Sequence, residues 1–154
     1  MGRKDDQDMK LSTRSRYGIH AMYDLASCPP DEPQSIKAIA ERQDIPEAYL
    51  EQLISPLRRA GLVRSVRGAQ GGYLLADEPS HITVGEVIRA LEGDLTLVDC
   101  LSEEDSCSKS CSCPTRLVWQ RLRDGLNEIL DSITLKDMLD DYQRICASKG
   151  TEQS

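Results

Sequence analysis

A chain of 154 residues is long enough to bury one hydrophobic core, or one small domain with an extension. It contains no run of about 18 apolar residues, so the sequence predicts no membrane-spanning helix. The first eight residues, MGRKDDQD, are polar and acidic and lack the apolar core of a secretory signal. We therefore expect a cytoplasmic protein with no membrane partner, in which residues 1–8 form a disordered leader.

Charge is distributed unevenly along the chain, whose formal net charge is -7. Residues 9–75 carry nine Lys/Arg against seven Asp/Glu, whereas residues 76–154 carry eight against sixteen. Phosphate groups respond to the local field rather than to the total charge, so the acidic balance does not exclude a nucleic-acid partner. A phosphate-binding surface is therefore expected in the amino-terminal half of the chain.

Three short helices are predicted before the first glycine-rich segment. Apolar residues at helical spacing predict helices over residues 12–27 and 35–43, the second capped by Ser35. A third apolar stripe predicts a helix over residues 46–60, with a proline at its favoured first position. Two short helices joined by a tight turn are typical of a helix-turn-helix, in which residues 46–60 form the recognition helix. Pro56 falls inside that helix and should kink it or separate its last turn.

A glycine-rich hairpin follows the third helix. Residues 62–66 alternate apolar side chains with Arg and Ser, as in a half-exposed strand, and residues 73–75 are expected to form the returning strand. Residues 67–72, Arg-Gly-Ala-Gln-Gly-Gly, form the turn between them. The segment 55–76 contains no acid and four arginines, which are Arg58, Arg59, Arg64 and Arg67. This pattern predicts a mainly α-helical fold with a small β-hairpin wing, a winged helix-turn-helix that binds DNA.

The rest of the chain is predicted to contain three helices and a cysteine-rich loop. Thr83 and Glu86 have the spacing of a capping box, which starts a helix that ends near Gly93. A long helix is expected over residues 114–132, and a capping motif at Thr134 starts the last helix. The predicted organisation is a winged-helix DNA-binding domain (9–93), a cysteine-rich loop (94–113), a dimerisation helix with a C-terminal helix (114–146) and a disordered tail (147–154).

The long helix has an apolar stripe with two alternative uses. The stripe repeats at steps of four, four, three and four residues and consists of Val118, Leu122, Leu126, Ile129 and Ile133. It could be buried against its own domain, or it could pair with the same helix of a second copy. A small winged helix contacts only a few base pairs, so two-fold pairing on a palindromic operator is the usual geometry. We favour the homodimer.

Four of the six cysteines lie close together, separated by six, three and one positions: Cys100, Cys107, Cys111 and Cys113. Structural zinc sites usually present paired Cys-x-x-Cys knuckles, and that spacing is absent here. Thiolates on a loop suit an iron–sulfur cluster, which needs three or four soft ligands. Cys113 directly precedes the long helix, whose N-terminal dipole would favour its thiolate. The spacing therefore favours an iron–sulfur site, while zinc, thiol redox sensing and no function remain alternatives.

Several segments resemble the IscR-like family of bacterial winged-helix regulators, which also includes CymR-like and NsrR-like repressors. The matching segments are Met-Lys-Leu-Ser at 9–12, Arg-Tyr-Gly at 16–18, Tyr-Leu-Glu-Gln-Leu at 49–53, Gly-Leu-Val at 61–63, Arg-Gly-Ala-Gln-Gly-Gly-Tyr-Leu-Leu at 67–75 and Ile-Thr-Leu at 133–135. The resemblance covers about residues 9–142. It implies a transcription factor rather than an enzyme, homodimeric through the long helix, with a cluster-binding loop just before that helix.

In the cluster-binding branch, three cysteines and one further residue hold a 2Fe-2S or a 4Fe-4S cluster, and we favour 2Fe-2S. The three cysteine positions correspond to Cys100, Cys107 and Cys113. The fourth ligand is often a His, but Arg116 stands at that position. NsrR-like members use an acid on the partner's first helix instead, and Arg16 stands there. The resemblance therefore leaves Cys111, which the family pattern lacks, as the leading candidate for the fourth ligand.

Other segments resemble the CymR-like branch, which has no cluster and responds to cysteine supply through an enzyme partner. These segments are residues 55–61 and the Leu-Glu-Gly at 91–93. Two functions therefore compete. One is a regulator that senses iron–sulfur cluster status. The other is a repressor of cysteine metabolism gated by a protein partner, with zinc or no metal at the cysteines. The partner would be a cysteine-biosynthetic or cluster-assembly protein. A third possible function, a small electron carrier, would leave the wing unexplained.

The predicted DNA-contacting residues lie on helix one, the recognition helix and the wing. Gln52 can pair with adenine in the major groove, and Glu51 either accepts from cytosine N4 or is a solvated acid. Tyr49 and Arg58 are expected to contact phosphates, and Arg67 suits a narrow A/T-rich minor groove. The full predicted set is Arg14, Arg16, Tyr49, Glu51, Gln52, Arg58 and Arg67.

Overall fold

The computed structural model describes residues 13–93 and 114–151. The predictions for the leader, for the cysteine-rich loop and for the last three residues lie outside these ranges. The described part is mainly helical with one antiparallel hairpin, as the sequence predicts. Its elements are α1 (Thr13–Ser27), α2 (Ile36–Gln43), α3 (Glu47–Arg59), β1 (Val63–Val66), β2 (Gly72–Leu75), a 3₁₀ turn (Pro79–His81), α4 (Val84–Glu92), α5 (Pro114–Ser132) and α6 (Leu135–Thr151).

Helix α1 lies at the centre of the fold and packs against α2, α3, α4 and α6. Its inner face carries Ala21, Met22 and Leu25, which are buried with apolar side chains of the other helices. Gly18 permits the close approach of α4, because a Cβ at this position would lie 2.1 Å from Cδ1 of Leu91. The core therefore forms around the apolar face of α1, which the sequence periodicity already indicated.

The helix-turn-helix is formed by α2, a tight turn and α3. The Ser35 side chain caps α2 by accepting a hydrogen bond from the Ala38 N–H at 3.1 Å, as predicted. The turn uses a left-handed residue, Asp44 (φ 54°), and short polar side chains tolerate that conformation better than most. Ile45 follows as a buried apolar anchor, and its N–H donates to the Ala40 carbonyl at 3.0 Å.

Helix α3 continues through Pro56, so of the two effects expected of this proline, a kink or the separation of the last turn, the separation does not occur. Proline removes one backbone donor, but the helix continues beyond it to Arg59. The apolar stripe holds the helix on both sides of the proline, because Leu53 and Leu57 are both buried. The Pro56 carbonyl also accepts a hydrogen bond from the Ala60 N–H at 3.0 Å. Burial of the stripe thus outweighs the single lost hydrogen bond.

A Schellman turn leads from α3 into the wing. Gly61 adopts φ 79°, which favours glycine, and its N–H donates to the Arg58 carbonyl at 3.0 Å. The Leu62 N–H donates to the Leu57 carbonyl at 3.1 Å, which completes the motif. Strands β1 and β2 then pair in antiparallel register, from Val63 opposite Leu75 to Val66 opposite Gly72. The predicted hairpin is therefore present, and its direction is set by the end of the recognition helix.

The outer edge of the wing is paired with the loop before α2. Gln34 forms a two-way backbone bridge with Tyr73: the Gln34 N–H donates at 3.0 Å, and the Tyr73 N–H donates back at 2.8 Å. Gly72 allows this approach, because a Cβ there would lie 2.4 Å from the Gln34 carbonyl oxygen. The wing therefore contacts both the recognition helix and the segment that precedes the helix-turn-helix.

Replacing Gly72 by Ala should destabilise the protein by about 1–3 kcal/mol, because the added methyl group meets rigid backbone that cannot rotate away. Urea denaturation followed by circular dichroism would measure the change in the free energy of unfolding. Gly68→Ala in the same hairpin is the matched comparison, because no atom lies within 4 Å of its Cβ position, although its φ of 114° also strains a side chain. Equal losses in the two variants would contradict the role of the close contact.

The junction between α5 and α6 is attached to the segment that leads into α4. The Val84 N–H donates to the Ile133 carbonyl at 2.8 Å, and the Leu135 N–H donates to the Ile82 carbonyl at 3.0 Å. The capping box predicted at Thr83 is present, with both reciprocal hydrogen bonds made. The capping motif predicted at Thr134 is also present: its hydroxyl accepts from the Asp137 N–H at 3.1 Å. The C-terminal end of α5 is therefore held beside the start of α4.

Helix α6 extends further than predicted. Its helical hydrogen bonding continues to Thr151, so the helix does not give way to a disordered tail at residue 147. Beyond residue 146 the helix contains Ala147 and Lys149, which favour a helix, and also Ser148 and Gly150, which do not. The polarity of this segment indicated exposure, and it is exposed. Among the helices described, none is long and apolar enough to cross a membrane.

Candidate nucleic-acid interface

Helix α3 divides cleanly into a buried face and an exposed face. The buried face consists of Leu50, Leu53, Ile54 and Leu57, each at most 3% exposed. The opposite face is open to solvent and carries polar side chains of both hydrogen-bonding types: Glu51, Gln52, Ser55, Arg58 and Arg59. An amide, a carboxylate and two guanidinium groups along one helical face are chemically suited to base edges and phosphates in a major groove. Three of the predicted contact residues therefore lie together here.

The first turn of α3 is held by an aromatic contact with α1. The rings of Tyr17 and Tyr49 meet edge to face, with centroids 5.5 Å apart and an interplanar angle of 76°. Tyr49 is consequently half-buried. Of the two arginines predicted on α1, Arg16 is exposed, whereas Arg14 is half-buried with its Nε atom out of contact with water. Arg16 is thus available to a ligand, and Arg14 is partly enclosed by the fold.

The wing presents its charged side chains outward. Arg64 on β1 and Arg67 in the turn are exposed, while Val63 and Leu74 face the core. The turn residues 67–70 are exposed as well, so the tip is free to enter a groove. Together with the arginines at the end of α3, the wing forms a basic surface on a chain whose overall charge is -7.

A buried polar network behind the interface was not predicted from the sequence. Asp24 of α1 is 4% exposed, and its carboxylate accepts hydrogen bonds from Arg42 Nε at 3.0 Å and Nη2 at 2.6 Å. Gln43 Nε2 donates to the same carboxylate at 3.0 Å. Hydrogen bonding to Asp24 raises the pKa of Arg42, so this cation stays charged. The sequence feature that could have indicated this network is Asp24, an acid on the apolar face of α1.

Arg42 has two further neighbours. Its Nη2 donates to Gln34 Oε1 at 2.9 Å and lies 3.6 Å from the Cys28 sulfur. Burial raises the pKa of the Cys28 thiol above its ordinary value, and the nearby Arg42 charge offsets only part of that rise. Cys28 is therefore a neutral thiol at physiological pH, with low nucleophilicity.

The described residues cover the apolar stripe of α5 only in part: Leu126 and Ile133 are half-buried, and the other three side chains are exposed. Val118 is 59% exposed, Leu122 37% and Ile129 58%, and no described residue of α5 is fully buried. The C-terminal end of α5 is attached to α4, where Arg89 Nη2 donates to Asp131 Oδ1 at 2.5 Å. The alternative in which the whole stripe is buried within one chain is therefore not supported by these exposures.

No candidate metal site is formed by the side chains described: residues 13–93 and 114–151 contain no group of three or more His, Cys, Asp or Glu that could hold an ion. The predicted ligands, Cys100, Cys107, Cys111 and Cys113, lie outside those ranges. Cys28 and Cys146 are free thiols. The structure does place the start of α5 at Pro114, so its N-terminus directly follows the last of the four cysteines.

A helix-turn-helix with an exposed polar recognition face and a basic hairpin wing defines a winged-helix DNA-binding regulator. The chain belongs to the Rrf2 family, whose model is described as an iron-dependent transcriptional regulator and matches residues 11–141. This membership confirms the resemblance to IscR-like and CymR-like regulators. Since members of the family are named as transcriptional regulators, the chain is a regulator rather than an enzyme.

Individual relatives come from both branches of the family. The CymR regulator of Bacillus subtilis (strain 168) is 47% identical over 130 residues, covering 84% of this chain and 89% of that protein. The structure of T. potens IscR aligns with a TM-score of 0.72 at 50% identity, covering 88% of this chain and 89% of that chain. The structure of CymR, named the global cysteine regulator of B. subtilis, aligns with a TM-score of 0.70 at 45% identity, covering 84% and 95%. Similarity alone does not separate the two branches.

Proposed function

We propose that this protein is a homodimeric transcription factor that binds a palindromic operator and senses iron–sulfur cluster status through its cysteine-rich loop. The observation that carries the DNA-binding part is the exposed polar face of α3 beside a basic wing. In this proposal Gln52 and Glu51 contact base edges in the major groove. Arg58, Arg16 and Arg14 contribute phosphate contacts or orient the residues that make them.

The wing completes the proposed interface. Arg67 lies at the exposed tip of a hairpin whose other end is attached to α3. An arginine at such a tip fits a narrow A/T-rich minor groove, where the negative potential is strongest. Tyr49, half-buried against Tyr17, positions the first turn of α3 on the phosphate backbone of the DNA. The major and minor grooves would thus be contacted by neighbouring elements of one rigid domain.

Dimerisation is supported by the exposed stripe of α5. Large apolar side chains that lie 37–59% exposed along one helix are typical of a surface that is covered in the assembled protein. Gly125 is three residues after Leu122 and four before Ile129, so it lies on the same face of the helix, and a Cβ there would meet no described atom within 4 Å. Packing among the described residues therefore does not explain a helix-destabilising glycine at this position, whereas close crossing of two α5 helices would.

The donor set of the loop supports the cofactor part of the proposal. Cys100, Cys107 and Cys113 would hold the cluster, with Cys111 as the candidate fourth ligand, because thiolates are the ligands that iron–sulfur clusters prefer. When bound, a 2Fe-2S or 4Fe-4S cluster supplies a group sensitive to iron supply and to oxidation. The chain's own residues provide the connection to DNA: the loop enters α5, and α5 is attached to α4 through Asp131 and Arg89.

Arg67→Ala should weaken binding to a specific operator by about 1–3 kcal/mol, since it removes the minor-groove contact but leaves the recognition helix unchanged. Fluorescence anisotropy at fixed salt on a duplex selected by the wild-type protein would measure the affinity. Arg144→Ala is a matched control, because Arg144 is an exposed arginine on α6, away from the proposed interface. Unchanged affinity in Arg67→Ala would reject the wing contact.

A second candidate function is favoured by one observation, the 47% identity with B. subtilis CymR, whose structure is named that of a global cysteine regulator. In that case the protein would repress genes of cysteine and sulfur metabolism and would be gated by a protein partner. The four cysteines would then bind zinc or no metal. Both candidates use the same DNA-binding domain, so they differ in what the cysteine-rich loop binds and not in how DNA is contacted.

A further inference from the structure

The wing is joined to the core of the helix-turn-helix by a continuous series of polar contacts. The series begins at Asp24, a carboxylate that is 4% exposed on α1. Arg42 on α2 binds it with two nitrogens, at distances from 2.6 to 3.2 Å. A buried carboxylate requires such a partner, because an unpaired charge in the interior costs several kcal/mol. The contact through two nitrogens orients the Arg42 guanidinium group, although the Arg42 side chain is 41% exposed.

The same guanidinium group reaches toward the wing. Its Nη2 atom, which donates to Asp24, also donates to Gln34 Oε1 at 2.9 Å. Gln34 is in turn paired with Tyr73 of β2 through two backbone hydrogen bonds, of 3.0 and 2.8 Å. Three successive contacts thus connect the buried face of α1 to the outer strand of the hairpin. Arginine suits this arrangement because its planar group donates in several fixed directions at once.

We propose that Arg42 and Gln34 are positioning residues of the DNA interface, which hold the wing at a fixed angle to the recognition helix through the buried Asp24. The wing needs such support because each of its strands has only four residues, and an isolated two-stranded hairpin is marginally stable in water. A wing fixed before binding loses less conformational freedom when its tip enters the groove. This proposal rests on the proposed contact between the wing and DNA.

The free protein provides the first test. Gln34→Ala removes the side-chain acceptor of Arg42, and with it the Nε2 donor to the Glu32 carbonyl, but leaves the backbone bridge and the Asp24–Arg42 pair intact. Hydrogen exchange of the Tyr73 N–H should then be several-fold faster than in the wild type, because the bridge loses its lateral support. Gln34→Glu should restore slow exchange, since its carboxylate also accepts from Arg42. Gln43→Ala is the matched control: it removes another amide from Asp24 without touching the wing. Unchanged Tyr73 exchange in Gln34→Ala would overturn the proposal.

The second test is a double-mutant cycle on a duplex selected by the wild-type protein. Gln34→Ala should weaken binding roughly three- to tenfold, the factor that one hydrogen bond commonly contributes. In the Arg67→Ala background, Gln34→Ala should have almost no further effect, because both act through the wing. In the Gln52→Ala background its effect should persist in full. Full additivity with Arg67→Ala would overturn the positioning role.

The two tests separate the failure of this proposal from the failure of the proposed function. If Arg67→Ala by itself leaves DNA affinity unchanged, the wing does not contact DNA, and the role of Gln34 in DNA binding is rejected with it. If Arg67→Ala weakens binding but Tyr73 exchange and DNA affinity are both unchanged in Gln34→Ala, the wing contact stands and the positioning role is overturned.

Discussion

Replacing Val118 and Ile129 together by Lys should convert the protein to monomers and abolish tight binding to a palindromic operator. Both side chains are more than half exposed in one chain, at 59% and 58%, so the monomer fold should tolerate the change. In a dimer joined through α5, each Lys would enter an apolar interface, where an unpaired charge costs several kcal/mol. Since two linked half-sites bind about 10²–10⁴ times more tightly than one, the loss of affinity should be large. Sedimentation velocity and fluorescence anisotropy would measure the two effects.

Asp124→Lys is the matched control for this double variant. It changes the charge of α5 by the same two units, but Asp124 lies off the apolar stripe and its side chain is 69% exposed. Its exposed ion pair with Arg123 contributes little to stability, so this variant should remain dimeric. A Val118→Lys/Ile129→Lys protein that sediments as a dimer and binds its operator normally would locate the dimer interface elsewhere.

Protein purified without oxygen should contain iron and acid-labile sulfide in similar amounts, and a variant with Ala at three cysteines should contain neither. The three positions are Cys100, Cys107 and Cys113. Their removal leaves too few thiolates in the loop to complete the coordination of a cluster. The visible absorbance should therefore be lost completely, and DNA affinity should change on at least one class of operator. Iron, sulfide and zinc analyses, with anisotropy on the same duplexes, would measure these outcomes.

Cys146→Ala is the control for this experiment, because Cys146 is an exposed thiol on α6, outside the cysteine-rich loop. It should keep the full absorbance. Cys111→Ala should shift the spectrum and make the cluster labile if Cys111 is the fourth ligand. A colourless wild-type protein that contains zinc, or no metal, would support the CymR-like alternative. Equal DNA affinities of wild type and triple variant on every site would leave the cysteines without a regulatory role.

Local chemistry explains why much of the fold could be predicted. Ser35, Thr83 and Thr134 cap helices where the sequence indicates, because a side-chain oxygen satisfies backbone donors within three residues. Gly61 ends α3 because the Schellman turn requires a left-handed residue. The predicted interface residues on α3 follow from the same local rule, since burying one apolar stripe exposes Glu51 and Gln52 on the opposite side.

One of the two effects expected of Pro56 is absent, and the predicted end of the last helix was wrong. Pro56 does not divide α3, since the burial of Leu53 and Leu57 outweighs the loss of one backbone hydrogen bond. The last helix does not end at residue 146 but continues to Thr151, since the polarity of residues 147–151 indicates exposure and does not by itself end a helix. In both cases the sequence contained the relevant residues, but not the balance of free energies between them.

The helix-turn-helix, the hairpin, the basic character of the wing and the apolar stripe of α5 can all be predicted from the sequence, because each depends on residues a few positions apart. How these parts are joined depends on contacts between distant residues. The contacts of Asp24 with Arg42, and of Gln34 with Tyr73, link residues 18 and 39 positions apart. Likewise, only the packed fold shows that the described residues leave Val118, Leu122 and Ile129 of the α5 stripe exposed. Periodicity identifies which face of a helix is apolar, but the partner that covers that face depends on long-range packing.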